Sequence, residues 1–211
     1  MTSAPVLGDA PVLPGLRHTR TWIFTTMLIS GALGLLASIV LSIDAVVLAA
    51  EPQATLACDI NAVVSCGAVA QSWQAHVFGF PNAFIGMATE PVIITIAVAC
   101  LGGTRFPRWF MFAGQIGYML GLIFAWWLFT QTLFVIGSVC PWCLLITVTT
   151  TVTFLTFLHW NVLENNLYLP VRAHAMGIVG IRMGLDVLAM VIGLGTIAGL
   201  LLAVHGVRLF A

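Results

Sequence analysis

The sequence predicts an all-α integral membrane protein: a four-helix transmembrane bundle, an outer-face loop with an interfacial helix, and a fifth, peripheral transmembrane helix. Three observations predict it. The 211 residues are 61% hydrophobic and only 7% charged, a composition that soluble domains of this size do not carry. Five apolar stretches are each long enough to cross the roughly 30 Å of a bilayer core. The basic residues are all arginine and are spaced so that all but Arg208 fall on one side of those stretches. A formal net charge of zero gives neither a nucleic-acid surface nor a polybasic membrane patch.

Residues 1–20 hold prolines and glycines before Arg17, His18 and Arg20, and read as a mobile cytoplasmic tail with a basic end. Residues 21–43 form the first span. Its apolar run exceeds a usual signal-peptide core, so it reads as an uncleaved signal anchor rather than a leader cut after Ala49-Ala50. Residues 44–81 are the outer-face loop, with Asp44, Glu51, Asp59, His76, Cys58 and Cys66, and no arginine. Cys58-Asp59-Ile60-Asn61 predicts a turn, because Asp and Asn bond their own backbone. Val69, Trp73 and Val77 recur every four residues, which predicts a short amphipathic helix over 65–77 lying in the membrane interface, with Trp73 as anchor. Phe78-Gly79-Phe80-Pro81 then turns the chain.

Residues 82–101 form the second span. Asn82 follows Pro81 and suits an N-cap. Glu90 is an acid well inside the span and must face the bundle or a cavity. Cys100 reads as a small buried residue. A turn with Arg105 and Arg108 leads to a third span over 109–129. Residues 130–139 make a short uncharged return, and residues 140–158 make the fourth span. Residues 159–211 are a cytoplasmic polar connection, a fifth span over 183–204 with Asp186 near its start, and a short tail with Arg208. Gly117 with Gly121, and Gly195 with Gly199, have the spacing that lets helices approach closely. No internal repeat is evident.

Five spans put the termini on opposite sides. The arginine count makes the N-terminal side cytoplasmic. Cys58, Cys66, Cys140 and Cys143 then face the extracytoplasmic side of a multi-pass plasma-membrane protein, where disulfides persist.

Cys140-Pro141-Trp142-Cys143 opens the fourth span. Pro141 suits the first helical position, and the helix N-terminus with its unpaired N–H groups favours a thiolate. A loop pair, Cys58 and Cys66, and a pair at a helix end suit an electron relay by thiol–disulfide exchange. The outer pair meets a water-soluble protein and the inner pair a lipid-soluble oxidant. A quinone takes two electrons and two protons, as many as one dithiol releases. A zinc site is the less suitable reading, since eight residues between Cys58 and Cys66 exceed a usual ligand knuckle; no metal is expected. A non-enzymatic membrane scaffold held by two disulfides is the alternative from another class.

Cys58-Asp59, Ser65-Cys66 and Cys140-Pro141-Trp142-Cys143 at the head of a helix together resemble the vitamin K epoxide reductase family over about residues 22–158. The Phe80-Pro81-Asn82 turn and the fifth helix are similar to bacterial, actinobacterial-like members, here without a fused thioredoxin domain. The resemblance implies a quinone-dependent thiol–disulfide oxidoreductase that supports disulfide formation in exported proteins. It implies a separate thioredoxin-fold partner of the DsbA kind and a membrane quinone, menaquinone or ubiquinone. Cys58 would exchange with the partner, Cys66 would attack Cys140, and Cys143 would reduce the quinone. Asn82 would bond a quinone carbonyl, and Ser72 would support the site. Thr147 stands where vertebrate members have a tyrosine that contacts vitamin K, so a plain quinone is the expected substrate, with a quinone-epoxide reductase as the alternative enzyme reading. Glu90 would line the quinone cavity or be a bundle-buried acid bonded to a neighbouring helix.

Overall fold

Thr19 opens the first long helix. Its hydroxyl accepts the Trp22 N–H at 3.3 Å and so satisfies a donor that the first turn leaves free. The computed structural model describes residues 13–61 and 63–206, and in it α1 runs Arg20–Ala50. The helix outlasts the expected span because residues 45–50 remain apolar and Leu48 is buried. Pro52 disfavours helical backbone at the residue before it, and Glu51 is extended at φ −136°, ψ 91°. Asp44 therefore sits on the last turns of a helix rather than in the outer loop.

The loop holds two short pieces instead of one amphipathic helix: α2, Cys66–Ala70, and a 3₁₀ turn, Trp73–His76. Ser72 turns its hydroxyl back to the Val69 carbonyl at 2.6 Å, a local bond that competes with helix continuation. The break separates the periodic residues. Val69 is buried while Trp73 is 67% exposed.

Helix α3 spans Ala83–Leu101, with Asn82 at the N-cap position. The Asn82 side chain makes no capping bond; its Nδ2 donates instead to the Gln74 carbonyl at 2.7 Å. Helix α4 spans Arg108–Gln131 and widens into a π turn, Thr132–Ile136, that ends at left-handed Gly137, φ 74°. The return to the next helix is thus far shorter than residues 130–139. Helix α5 spans Pro141–Leu163, α6 Val171–Met183 and α7 Leu185–His205. Helix α6 replaces most of the expected polar connection, and His159 is a buried residue of α5. Among the described residues, five helices (α1, α3, α4, α5 and α7) are long and apolar enough to cross a membrane.

Helix α1 packs against both α3 and α5, α4 packs on α5, and α7 stands outside against α5. The half of the bundle away from the cysteines is solid: Phe24, Met27, Ile93, Ala97, Met111 and Phe157 are within its buried core, and Cys100 joins them. The close approach runs along α1 and α3. A Cβ on Gly34 would stand 3.1 Å from Glu90, and one on Gly86 would stand 2.1 Å from the Ser38 hydroxyl. The expected glycine seams do not form. An added Cβ at Gly117, Gly121, Gly195 or Gly199 would meet nothing within 4 Å; Gly117 and Gly121 face a cavity instead.

Residues expected in the N-terminal tail are tied to the bundle. Arg17 bonds Asp186 at 3.2 Å and the Ile181 carbonyl at 2.6 Å. His159 Nδ1 bonds Asp186 at 2.7 Å, and its Nε2 meets His18 Nδ1 at 3.1 Å. The rest of that tail, residues 1–12, and Arg208 lie outside the described residues.

Candidate functional site

The loop pair is positioned by a short piece of sheet-like pairing. Val64 and Val139 form an isolated parallel bridge, with Val139 N–H donating to the Val63 carbonyl at 2.7 Å and Ser65 N–H to the Val139 carbonyl at 3.2 Å. That register brings Cys66, two residues after Val64, beside Cys140, one residue after Val139. Cys58 and Cys66 are joined by a disulfide, and Cys140 and Cys143 are free thiols. The Cys140 sulfur lies 3.3 Å from the Cys66 sulfur. Cys66 and Cys140 are almost wholly buried, at 0% and 1% exposure, and Cys58 is the more open of the disulfide partners at 9%. Leu48, Leu56 and Val69 complete the apolar packing around these sulfurs.

Asp59 braces the loop. Its carboxylate accepts the Leu56 N–H at 2.9 Å, the Ser65 hydroxyl at 2.7 Å and the Gly67 N–H at 2.9 Å. Desolvation pushes its pKa up, but the Gly67 and Leu56 N–H groups and the Ser65 hydroxyl outweigh it and hold the carboxyl below its ordinary value. Asn61 finishes the turn, its side-chain oxygen accepting the N–H groups of Val63 and Val64. At the other pair, Cys140 is the N-cap of α5 and Pro141 its first residue. The Cys143 N–H points at the Cys140 sulfur at 3.4 Å, a helix-end geometry that favours a thiolate.

Behind Cys143 the bundle is hollow. A cavity of about 500 Å³ is lined by α1, α3, α4, α5 and the loop pieces. Cys66, Cys140 and Cys143 reach its wall, as do Asn82, Ser72, Glu90 and Thr147; Cys58 does not. Ser72 turns its hydroxyl to Val69, as above. The Thr147 hydroxyl donates to the Cys143 carbonyl at 3.0 Å. Glu90 accepts the Tyr118 hydroxyl at 2.8 Å, so it is both a cavity residue and an acid bonded to a neighbouring helix.

Three residues at this site were not singled out from the sequence. Ser38 is 1% exposed and Tyr118 holds Glu90; in sequence both are ordinary members of apolar spans. Asp44 has one carboxylate oxygen buried without a partner. That carboxylate and the Cys58 and Cys66 sulfurs offer ligand atoms within 4.8 Å of one another, but a disulfide has no thiolate to give a metal.

A search among individual curated proteins finds no match. The sequence model of the vitamin K epoxide reductase family matches residues 25–158, a stretch that begins within α1 and ends within α5 and so contains all four clustered cysteines and the cavity. The chain belongs to the vitamin K epoxide reductase family, which implies a membrane thiol–disulfide oxidoreductase.

Proposed function

We propose that the protein reoxidises a thioredoxin-fold partner of the DsbA kind and passes the electrons through two cysteine pairs to a membrane quinone. The N-terminus is cytoplasmic and the cysteines extracytoplasmic, in keeping with the arginines. The observation that carries this reading is the run of sulfurs: the Cys58–Cys66 disulfide, the 3.3 Å approach of Cys66 to Cys140, and Cys143 on the wall of the cavity.

The cavity suits a quinone. Its wall is largely apolar, yet two buried polar atoms on it have no partner, Ser38 Oγ and Asn82 Oδ1. Asn82 lies four residues before Gly86, against which Ser38 packs. That is about 6 Å along the helix axis, the order of the separation between two oxygens across a six-membered ring. The Ser38 hydroxyl can donate to a quinone carbonyl at one end of a flat ligand with an oxygen at each end, and Asn82 Oδ1 can accept from the hydroxyl that the other end carries once reduced to the quinol. Leaving the two atoms unmatched is costly. A quinone bound there accepts two electrons and two protons. Menaquinone and ubiquinone fit this description equally.

In this reading Cys58 exchanges with the partner's thiols, Cys66 as thiolate attacks Cys140, and Cys143 is released facing the cavity. Asn82 and Ser38 orient the ring. Thr147, with its hydroxyl committed to the Cys143 carbonyl, fixes the first turn of α5 and offers no spare donor. Glu90, held by Tyr118, keeps an acid proton available at the cavity wall. Two electron donors test the order of the relay. Cys58→Ala is expected to lose turnover with the protein partner while retaining more of it with a small dithiol. Equal loss with both donors contradicts the order.

A further inference from the structure

Two carboxylates flank the loop disulfide, and they are in opposite conditions. Both oxygens of Asp59 are engaged by backbone N–H groups or the Ser65 hydroxyl. Asp44, projecting from the last turns of α1, has a fully buried oxygen without any partner. Its carboxylate lies in one cluster with the sulfurs of Cys58 and Cys66, all within 4.8 Å. The third sulfur, Cys140, is 3.3 Å beyond Cys66. Cys66 has no exposed surface, so bulk water does not reach its sulfur. A thiol there must lose a proton before it can attack, because the thiolate is the nucleophile.

We propose that Asp44 is the proton acceptor for exchange between the two cysteine pairs. The proposal rests on the relay described above and adds to it the group that moves the protons. With the loop pair reduced, the Cys66 thiol gives its proton to the Asp44 carboxylate. The Cys66 thiolate attacks the Cys140 sulfur; the Cys66–Cys140 bond forms, the Cys140–Cys143 bond breaks, and Cys143 leaves as a thiolate. Asp44 returns the proton to that thiolate. The Cys58 thiol then gives its proton to Asp44 and attacks Cys66. The Cys58–Cys66 bond forms, the Cys66–Cys140 bond breaks, and Cys140 leaves as a thiolate that takes the proton. Two electrons and two protons pass from the loop pair to the inner pair, and Asp44 ends unchanged. The groups facing Asp44 are Cys58, Asp59 and Cys66 from the loop and Cys140 and Cys143 from α5. No cation is among them, and Asp44 is the acid with a free oxygen.

The test uses the full chain in detergent with both pairs oxidised and no quinone. It is mixed with dithiothreitol and quenched in acid at intervals, and free thiols are alkylated and located by peptide mass. In wild type, label is expected at Cys140 and Cys143 after it appears at Cys58 and Cys66. With Asp44→Asn, arrival at Cys140 and Cys143 is expected to slow at least tenfold near pH 6.5. The gap should close as pH rises past the ordinary thiol value of about 8.5, where thiolates form without a base. Asp44→Glu restores a carboxylate and should restore the low-pH rate. An Asp44→Asn protein with the wild-type rate and pH profile, or one slowed by the same factor at every pH, overturns the proposal. Wild-type protein in which label never reaches Cys140 or Cys143 overturns the relay itself, and the proposal with it.

Discussion

Asp59→Asn keeps the shape of the side chain and removes the charge that gathers two backbone N–H groups and a hydroxyl around the loop disulfide. Hydrogen bonds to a charged group are each worth about 1.5–3 kcal/mol in favourable cases, and Asp59 is partly open to solvent, so a total loss of roughly 1–2 kcal/mol is expected. The sign with pH follows from its lowered value. The stabilisation is complete above the unfolded carboxyl value of about 3.9. It fades as pH falls through the lower folded value. Thermal unfolding of the two proteins in detergent should differ at pH 7 and converge in strong acid; a constant difference would contradict the role. At this scale the four cysteines were legible, since spacing and a helix start carry their chemistry. Asp44 and Ser38 were not. What sets them apart is an unpartnered oxygen, and that depends on which residues of other helices lie opposite.

The same limit appears at the scale of the elements. Five spans could be read from apolar length, but their ends shifted where local chemistry decided them: apolar residues 45–50 carry α1 on to Ala50, where Pro52 stops it, and Ser72 breaks the interfacial stretch. Glycine spacing on one helix did not say which glycines touch a neighbour. Gly86→Ala would put a Cβ 2.1 Å from Ser38 Oγ. Parting α1 from α3 to relieve it should cost about 1–3 kcal/mol. Gly117→Ala meets no atom within 4 Å and should leave unfolding unchanged, while its methyl enters the cavity and weakens binding of a quinone. Unfolding curves paired with quinone titrations separate the two. Equal destabilisation by both variants would contradict this account of the cavity wall.

Across the whole molecule, the two cysteine pairs sit at one end and the clasp of Arg17, His18, His159 and Asp186 at the other. The clasp holds α7, which also packs on α5 and α6 and, through Ile197, on Phe129 and Leu133, so Asp186→Ala is expected to raise protease cutting between α6 and α7 while sparing thiol exchange. Burial, and then the charges of Arg17 and His159, hold His18 below its ordinary value against the pull of Asp186. Its neutral ring suits the clasp. That contribution is present above the unfolded value of about 6.5 and is lost as pH falls from there through the lower folded value. Cutting should therefore increase in wild type as pH falls through that window, and a flat profile would contradict it. At the other end, electrons are expected to pass from the cysteines into the cavity. This passage is tested most directly by following quinone absorbance in purified protein given a reducing dithiol, wild type against Cys143→Ala. Loss of the quinone signal in wild type alone is the predicted result; loss in both proteins or in neither would contradict it.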